Sequence, residues 1–244
     1  MLLECENVVL FGSAGMLGSA LINLYPFIAV SHKEADITNF KAVKRCLEKN
    51  APSVVVHSAA LVGARECEEN KKLAYKTNVV GTYNISKLCQ ENDIRLIYIS
   101  TDSVFDGEKG YYKEEDIPNP INYYSLTKLL GENFVQMVNN HLIIRTSFIS
   151  KEYFKYEKAL IDQYTSRIFV DDLAKDVVLA MNINLQGIIH IAGERDTLYN
   201  IVKKIHPSIG AITIKETGMN LHKDLSLNSS KWERIKKIYE VKTI

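Results

Sequence analysis

The stretch "INYYSLTKLLGE", residues 121–132, carries a phenol and an ammonium four positions apart, Tyr124 and Lys128. On a helix that spacing puts both on one face. A phenol can protonate a carbonyl oxygen if its pKa, near 10 when unperturbed, comes down. A nearby Lys⁺ lowers it by favouring the phenolate. Tyr123 is a decoy, because the residue four positions on is Thr127. The pair alone arises often by chance and becomes chemistry only if other groups converge on it. Ser100-Thr101-Asp102 ends the apolar run "RLIYIS", and Tyr124 follows Thr101 by 23 residues. Hydroxyls at the carboxyl end of a parallel strand point into the ligand crevice. Thr101 can therefore hydrogen-bond a carbonyl, an electrostatic role. A hydroxyl, a phenol and an ammonium suit hydride delivery to a ketone, whose oxygen must be protonated as charge builds on it.

Such a reaction needs a bound dinucleotide. "LFGSAGMLGSAL" places Gly12, Gly15 and Gly18 between an apolar run and a stretch of helical spacing. Glycines there permit a tight turn, close approach of backbone to a pyrophosphate, and helix–strand packing. The helix N-terminus adds free N–H groups and a partial positive charge. The second strand runs out at Ser31-His32-Lys33, groups that suit a 2′-phosphate, and Glu34 follows. That favours NADPH over NADH and leaves dual use open. "ADIT" puts Asp36 near an adenine edge, and "HSAAL" puts the small residues Ala59 and Ala60 where a ligand lies against backbone. A plain small-residue turn is the alternative for the latter.

These groups must be positioned by a sheet. Apolar runs at 7–12, 27–31, 53–60, 95–101 and 141–148 alternate with helical patterns at 16–25, 37–50, 72–92 and 122–140. Alternation of this kind implies βαβ units and a parallel sheet covered on both faces. The expected fold is α/β, a Rossmann-type doubly wound sheet over residues 1–148. Residues 149–244 are expected to form a small C-terminal α/β substrate lobe partly packed on it. Within that second part, 167–182 reads as a strand entering a helix and 187–193 as a late strand. Thr38 is the expected cap of the second helix, and Asp171-Asp172 cap a helix beginning near Leu173.

The 244 residues, 46% hydrophobic and 24% charged with net charge +1, describe a globular chain large enough for a core without staples. That balance points to no nucleic-acid partner. The basic run 231–237 reads as a solvated helix face, with Trp232 as a packing anchor. No apolar run approaches the roughly 18 residues of a membrane span. Cys5, Cys46, Cys67 and Cys89 form no metal or disulfide pattern and read as reduced thiols of a cytoplasmic protein. "MLLECENVVLFG" reads as the start of a fold and not as a signal peptide. His57 reads as a core or crevice histidine, and no metal site is expected.

Taken in order, these motifs resemble the dTDP-4-dehydrorhamnose reductase family of extended short-chain dehydrogenases/reductases. The resemblance rests on "GSAGMLGSAL", "AYKTNVVGTYNIS", the run 98–132, "LIIRTSF", and "FVDDLA" followed by "GIIHIAG", and spans about 5–195. It implies an NAD(P)H-dependent oxidoreductase acting on the C4 keto group of a nucleotide-linked 4-keto-6-deoxysugar, with a homodimer as a further expectation. It implies Thr101, Tyr124 and Lys128 as catalytic residues and Gly12, Gly15, Met16, Leu17 and Gly18 as the cofactor loop. Lys128 would also hold the nicotinamide ribose, and Asn78 would lie near the site in a central helix. On the substrate side it implies Asp102, Ser103 and Phe148, the last two standing where the family commonly has Tyr and often Trp. Arg145 either meets the substrate diphosphate or pairs with an acid.

The segment 149–162 is short, and "HKDLSLN" (222–228) replaces an Arg-Pro pattern near the end of relatives. Two other readings stay open. One is a nucleotide-sugar epimerase or dehydratase, although Ser103 leaves a dehydratase's acid pair incomplete. The other is a non-catalytic, NADP-binding regulatory subunit.

Overall fold

The computed structural model describes residues 7–218 and 221–241. The first half alternates strand and helix: β1 (Val8–Phe11), α1 (Met16–Ile22), β2 (Ile28–Val30), α2 (Phe40–Asn50), β3 (Val54–His57) and α3 (Ala64–Glu69). A long helical segment follows, α4 (Lys71–Ala74) running through a π-helical stretch, Tyr75–Gly81, into α5 (Thr82–Glu91). Then come β4 (Arg95–Ile99), a 3₁₀ turn at Asp102–Val104, α6 (Tyr123–Val135) and β5 (His141–Arg145).

The chain continues with short strands β6 (Phe148–Ile149), β7 (Lys158–Leu160), β8 (Tyr164–Thr165) and β9 (Ile168–Phe169), then α7 (Val170–Asn182) and β10 (Gly187–His190). It closes with β11 (Asp196–Thr197), α8 (Leu198–Lys203), β12 (Gly210–Ile212), α9 (Ile214–Thr217) and α10 (Ser230–Val241).

Six strands form one sheet in the order β10-β5-β4-β3-β1-β2, every pair parallel. The chain leaves β1 toward one edge and returns to β3 on its other side. That reversal opens a crevice at the carboxyl ends of β1 and β3, where ligands bind in such sheets. The continuous apolar runs are explained by burial on both faces. Val8, Leu10, Val54 and Val56 face Leu17, Leu21 and Leu173, whereas Val9, Phe11 and Val55 face Val43, Leu47, Ile85 and Leu88.

The chain after residue 148 divides between two places. α7 and β10 join the sheet layer, β10 pairing with β5. α10 follows them: Trp232 is fully buried in the same cluster, and its Nε1 donates to Asp176 Oδ2 at 3.0 Å. Lys236 of the basic run pairs with Asp176 at 2.7 Å, while Lys231, Arg234 and Lys237 are exposed. The small β-pair β7–β12, with α8, builds a separate apolar cluster around Leu160, Leu198 and Val202.

Two cap assignments are corrected. Asn39, not Thr38, caps α2, accepting from Ala42 N, while the Thr38 N–H is taken by Asp36. α7 begins at Val170, so Asp171 and Asp172 sit in its first turn, where carboxylates still favour the helix dipole. Cys46, Cys67 and Cys89 are free thiols. Cys5 and the rest of residues 1–6 lie outside the described residues.

Candidate functional site

The crevice widens into a cleft of about 650 Å³ at the carboxyl edge of the sheet. That volume is within the usual range for small-molecule sites. Its floor is the β1–α1 loop. Gly12 turns at φ +89° and packs so tightly that a Cβ would lie 2.5 Å from Ala59 N. At Gly18 a Cβ would lie 2.1 Å from Gly12 O. The loop therefore closes on itself only as glycine. Gly15 caps α1 without any side-chain bond, which leaves the first N–H groups of the helix open. Gly12, Gly15, Met16, Leu17 and Gly18 all line the cleft, as the motif requires.

A narrower arm of about 280 Å³ extends past the end of β2, lined by Ser31, His32, Asp36, Ala59 and Ala60. His32 Nδ1 stands 3.8 Å from Asp36 Oδ1. Burial acts to raise the Asp36 carboxyl, but hydrogen bonds from Thr38 and the nearby His32 outweigh it and hold it below its ordinary value. Lys33 is exposed and not part of this wall. Glu34 folds back onto β2, its Oε2 accepting from Ser31 N and Ser31 Oγ, both at 2.8 Å. Hydrogen bonds from Ser31 hold that carboxyl below its ordinary value. The donors of Ser31 are thus already engaged by a carboxylate, which the sequence reading had left as an ambiguity.

The opposite wall carries the reactive groups. Thr101 lies just past the end of β4 and Tyr124 opens α6, and both face the cleft. Asn122 caps α6, its Oδ1 accepting from Ser125 N at 2.9 Å, which fixes the first turn holding Tyr124. Thr101 Oγ1 lies 3.1 Å from Asp102 Oδ1 and accepts the Ser103 N–H at 3.2 Å. Burial raises the Asp102 carboxyl, against the pull of Arg167 and of hydrogen bonds from Thr101, Ser147 and Ser103.

Lys128 lies one turn below Tyr124, 3% exposed. Its Nζ donates to Ile99 O at 2.8 Å and sits 4.0 Å above the Tyr98 ring. Burial pulls its pKa down to about 7, with Glu132 opposing. The expected lowering of the phenol is not found. Burial pushes Tyr124 well above its ordinary value, the Asp102 charge adds to that, and a hydrogen bond from Thr101 opposes it. The phenol is consequently a fully protonated acid at neutral pH.

Two predicted ligand contacts are corrected. Arg145 does not reach the cleft. It is 2% exposed and grips Glu132, Nη2 donating to Oε2 at 2.8 Å and Nε to Oε1 at 3.0 Å. Of its two readings, the ion pair is the one realised. Asn78 is also spent within the protein. Its Oδ1 accepts from Leu61 N at 2.7 Å, and its Nδ2 donates to Leu61 O and Thr127 Oγ1 at 2.9 and 3.0 Å. It braces the loop after β3 against α6. Ser103 and Phe148 do line the cleft. His57 is buried beneath it, Nε2 3.0 Å from Thr82 Oγ1, and burial, then Lys128, pull its pKa down to about 3.

One charge was missed. Arg167 reaches the cleft from the segment between β8 and β9. No carboxylate of the described residues pairs with it within 4.0 Å, and its buried Nε has no partner. His222 Nε2, on the same side of the cleft, is likewise buried without a partner. An arginine between the small Ser166 and the apolar "IFV" was the available signal.

The glycine cradle, the open N–H groups of α1 and the arm beyond β2 fit a dinucleotide. Comparison with known proteins agrees. A family model described as the RmlD substrate binding domain matches residues 6–205. The chain is 28% identical over 224 residues to a dTDP-4-keto-6-deoxy-D-glucose reductase of Streptomyces niveus, covering 82% of this chain and 77% of that one. It is 32% identical to a dTDP-4-dehydrorhamnose reductase of Aggregatibacter actinomycetemcomitans, over 60% of this chain and 53% of that one. Among solved structures, a dTDP-4-dehydrorhamnose reductase of Bacillus anthracis in complex with NADP superposes with TM-score 0.85 at 26% identity. That superposition covers 93% of this chain and 91% of the other.

Proposed function

The chain belongs to the RmlD substrate-binding-domain family, the family of the dTDP-4-dehydrorhamnose reductases, and from that membership and the cleft we propose that it is an NADP(H)-dependent reductase of a nucleotide-linked 4-keto-6-deoxysugar. NADH is the second cofactor of the same proposal. Gly12, Gly15 and Gly18 hold the pyrophosphate against backbone, and the arm lined by Ser31, His32 and Asp36 takes the adenosine end. Bound there, the reduced nicotinamide supplies the hydride.

The chain's own residues do the rest. Thr101 donates a hydrogen bond to the C4 carbonyl oxygen, which is where negative charge develops. Tyr124 passes its phenolic proton to that oxygen, so that the ketone, one hydride and one proton become an alcohol. Lys128 supplies a positive charge one turn away, opposing the negative charge left on Tyr124. Asp102, Ser103 and Phe148 bound the sugar, and Arg167 faces the substrate's diphosphate from the lobe. The homodimer and a cytoplasmic location belong to the same proposal, the latter supported by the free thiols.

The observation that carries the reading is the convergence of Thr101 and Tyr124, from a strand and a helix, on one cleft floored by a glycine cradle. The test is consumption of NADPH, then NADH, with freshly made dTDP-4-keto-6-deoxy sugars. Stoichiometric cofactor oxidation supports the reductase. Product formed without net oxidation would turn the assignment to an epimerase. Cofactor binding with no turnover on any nucleotide sugar would turn it to a regulatory subunit.

A further inference from the structure

Behind the cleft lies a buried ionic cluster that the proposed chemistry does not use directly. α6 carries Tyr124, Lys128 and Glu132 four residues apart, a single stripe on the face turned to the sheet. Two rungs sew this stripe to the end of β4. Lys128 Nζ donates to Ile99 O at 2.8 Å, and Ser100 Oγ donates to Glu132 Oε1 at 2.5 Å. The residue after Ser100 is Thr101, which leads from β4 into the 3₁₀ turn. From β5, Arg145 clamps the same Glu132 carboxylate with two charge-assisted bonds. β5 is itself bonded to β4 at this level, Ser100 N to Ile144 O, at 2.7 Å. Gly131 lets the helix come this close: a Cβ there would lie 2.6 Å from the Tyr98 hydroxyl.

Glu132 is completely buried and Arg145 nearly so. A buried ion pair is weak support for stability, since two apolar side chains of similar volume often do as well. Its place in this wall calls for another account. The charges around Lys128 are few and come from each packed element. Glu132 and the phenol of Tyr124 share its helix. Tyr98 lies under its ammonium on β4, His57 is neutral on β3, and Arg145 stands behind Glu132 on β5. Glu132 is the carboxylate among them that favours the ammonium.

We propose that Glu132, clamped by Arg145 and Ser100, is a positioning residue that holds Thr101, just past the end of β4, against Tyr124 on α6 and keeps Lys128, one turn below Tyr124, charged. The inference rests on the reductase reading for its kinetic consequence, but not for its electrostatic one. Glu132→Gln keeps the shape and a hydrogen-bond acceptor while removing the charge. Lys128 then faces a cation, Arg145, without the intervening carboxylate, and its pKa falls. The sign is fixed: the protonated form works, so activity is present below that pKa and lost above it. The alkaline limb of the kcat profile should move down by about one pH unit or more. kcat near neutrality should fall about tenfold or more, with the cofactor KM nearly unchanged. Arg145→Lys keeps the charge pair without its bidentate fork. It should lower thermal stability while leaving the limb in place.

The decisive readout is direct titration of the Lys128 side-chain nitrogen by ¹⁵N-lysine NMR in wild type and Glu132→Gln. A titration shifted to lower pH supports the proposal even if no 4-keto sugar is turned over, which would count against the reductase reading alone. An unshifted titration in a folded variant, or an unmoved kcat and alkaline limb, overturns it. If Glu132→Gln does not fold, Ser100→Ala removes one rung and no charge. A several-fold lower kcat at unchanged cofactor KM supports the clamp, and an unchanged kcat overturns it.

Discussion

The two sides of the cleft are made of different material. The cofactor side is backbone. Gly12, Gly15 and Gly18 define its shape because a Cβ at Gly12 or Gly18 would collide with main-chain atoms. The substrate side is side chain: Ser103, Phe148, Arg167 and His222 reach in from four separate segments. Backbone geometry is dictated by a few residues close together in sequence, so it shows as a motif. A wall of converging side chains is dictated by the packing of the lobe, and no local pattern announces it. The same contrast predicts that lesions on the cofactor side should be all-or-none and those on the substrate side graded.

The sharpest break of the comparison is Gly18→Ala. Its Cβ would need to displace Gly12 O, 2.1 Å away, and with it the loop that meets the pyrophosphate. Calorimetry should show cofactor affinity reduced about a hundredfold or more, a loss of close backbone approach in a folded protein. Arg167→Met tests the other wall. The KM for a nucleotide sugar should rise roughly ten- to a hundredfold, the scale of losing one charge-assisted pair, while cofactor affinity holds. An equal effect on both ligands would erase the distinction between the walls. The smallest effect is expected at Glu34→Gln, which weakens the hold on Ser31 N and Oγ. The ratio of kcat/KM for NADPH over NADH should rise about three- to tenfold, because a 2′-phosphate no longer competes with a carboxylate for those donors.

What could be read beforehand follows the same line. The strand–glycine–helix unit and the alternation of strands and helices along the chain were legible, because two covered faces force continuous apolar runs and Cβ-free turns. Tyr124 and Lys128 were legible as an i, i+4 pair, and Thr101 as a strand-end hydroxyl. The extension of that stripe to Glu132 was not taken, although the spacing was in view. Arg145 stayed open between the substrate diphosphate and an acid partner, because nothing local to it in the sequence decides between them. Its partner, 13 residues earlier on α6, exists only once helix and strand are packed. Asn78 was placed near the site, but its amide is consumed by Leu61 and Thr127, a matter of tertiary contact. The expected low phenol pKa failed for a tertiary reason too, since burial in the packed cleft wall raises it and the Asp102 charge adds to that.

The central claim is that Tyr124 gives up the proton where the two walls meet. Tyr124→Phe removes the hydroxyl and nothing else, so single-turnover hydride transfer with saturating cofactor and 4-keto sugar tests it most directly. The account predicts a rate lower by about 10²–10⁴-fold, the usual contribution of a positioned general acid, with cofactor affinity unchanged. A rate within threefold of wild type would contradict it.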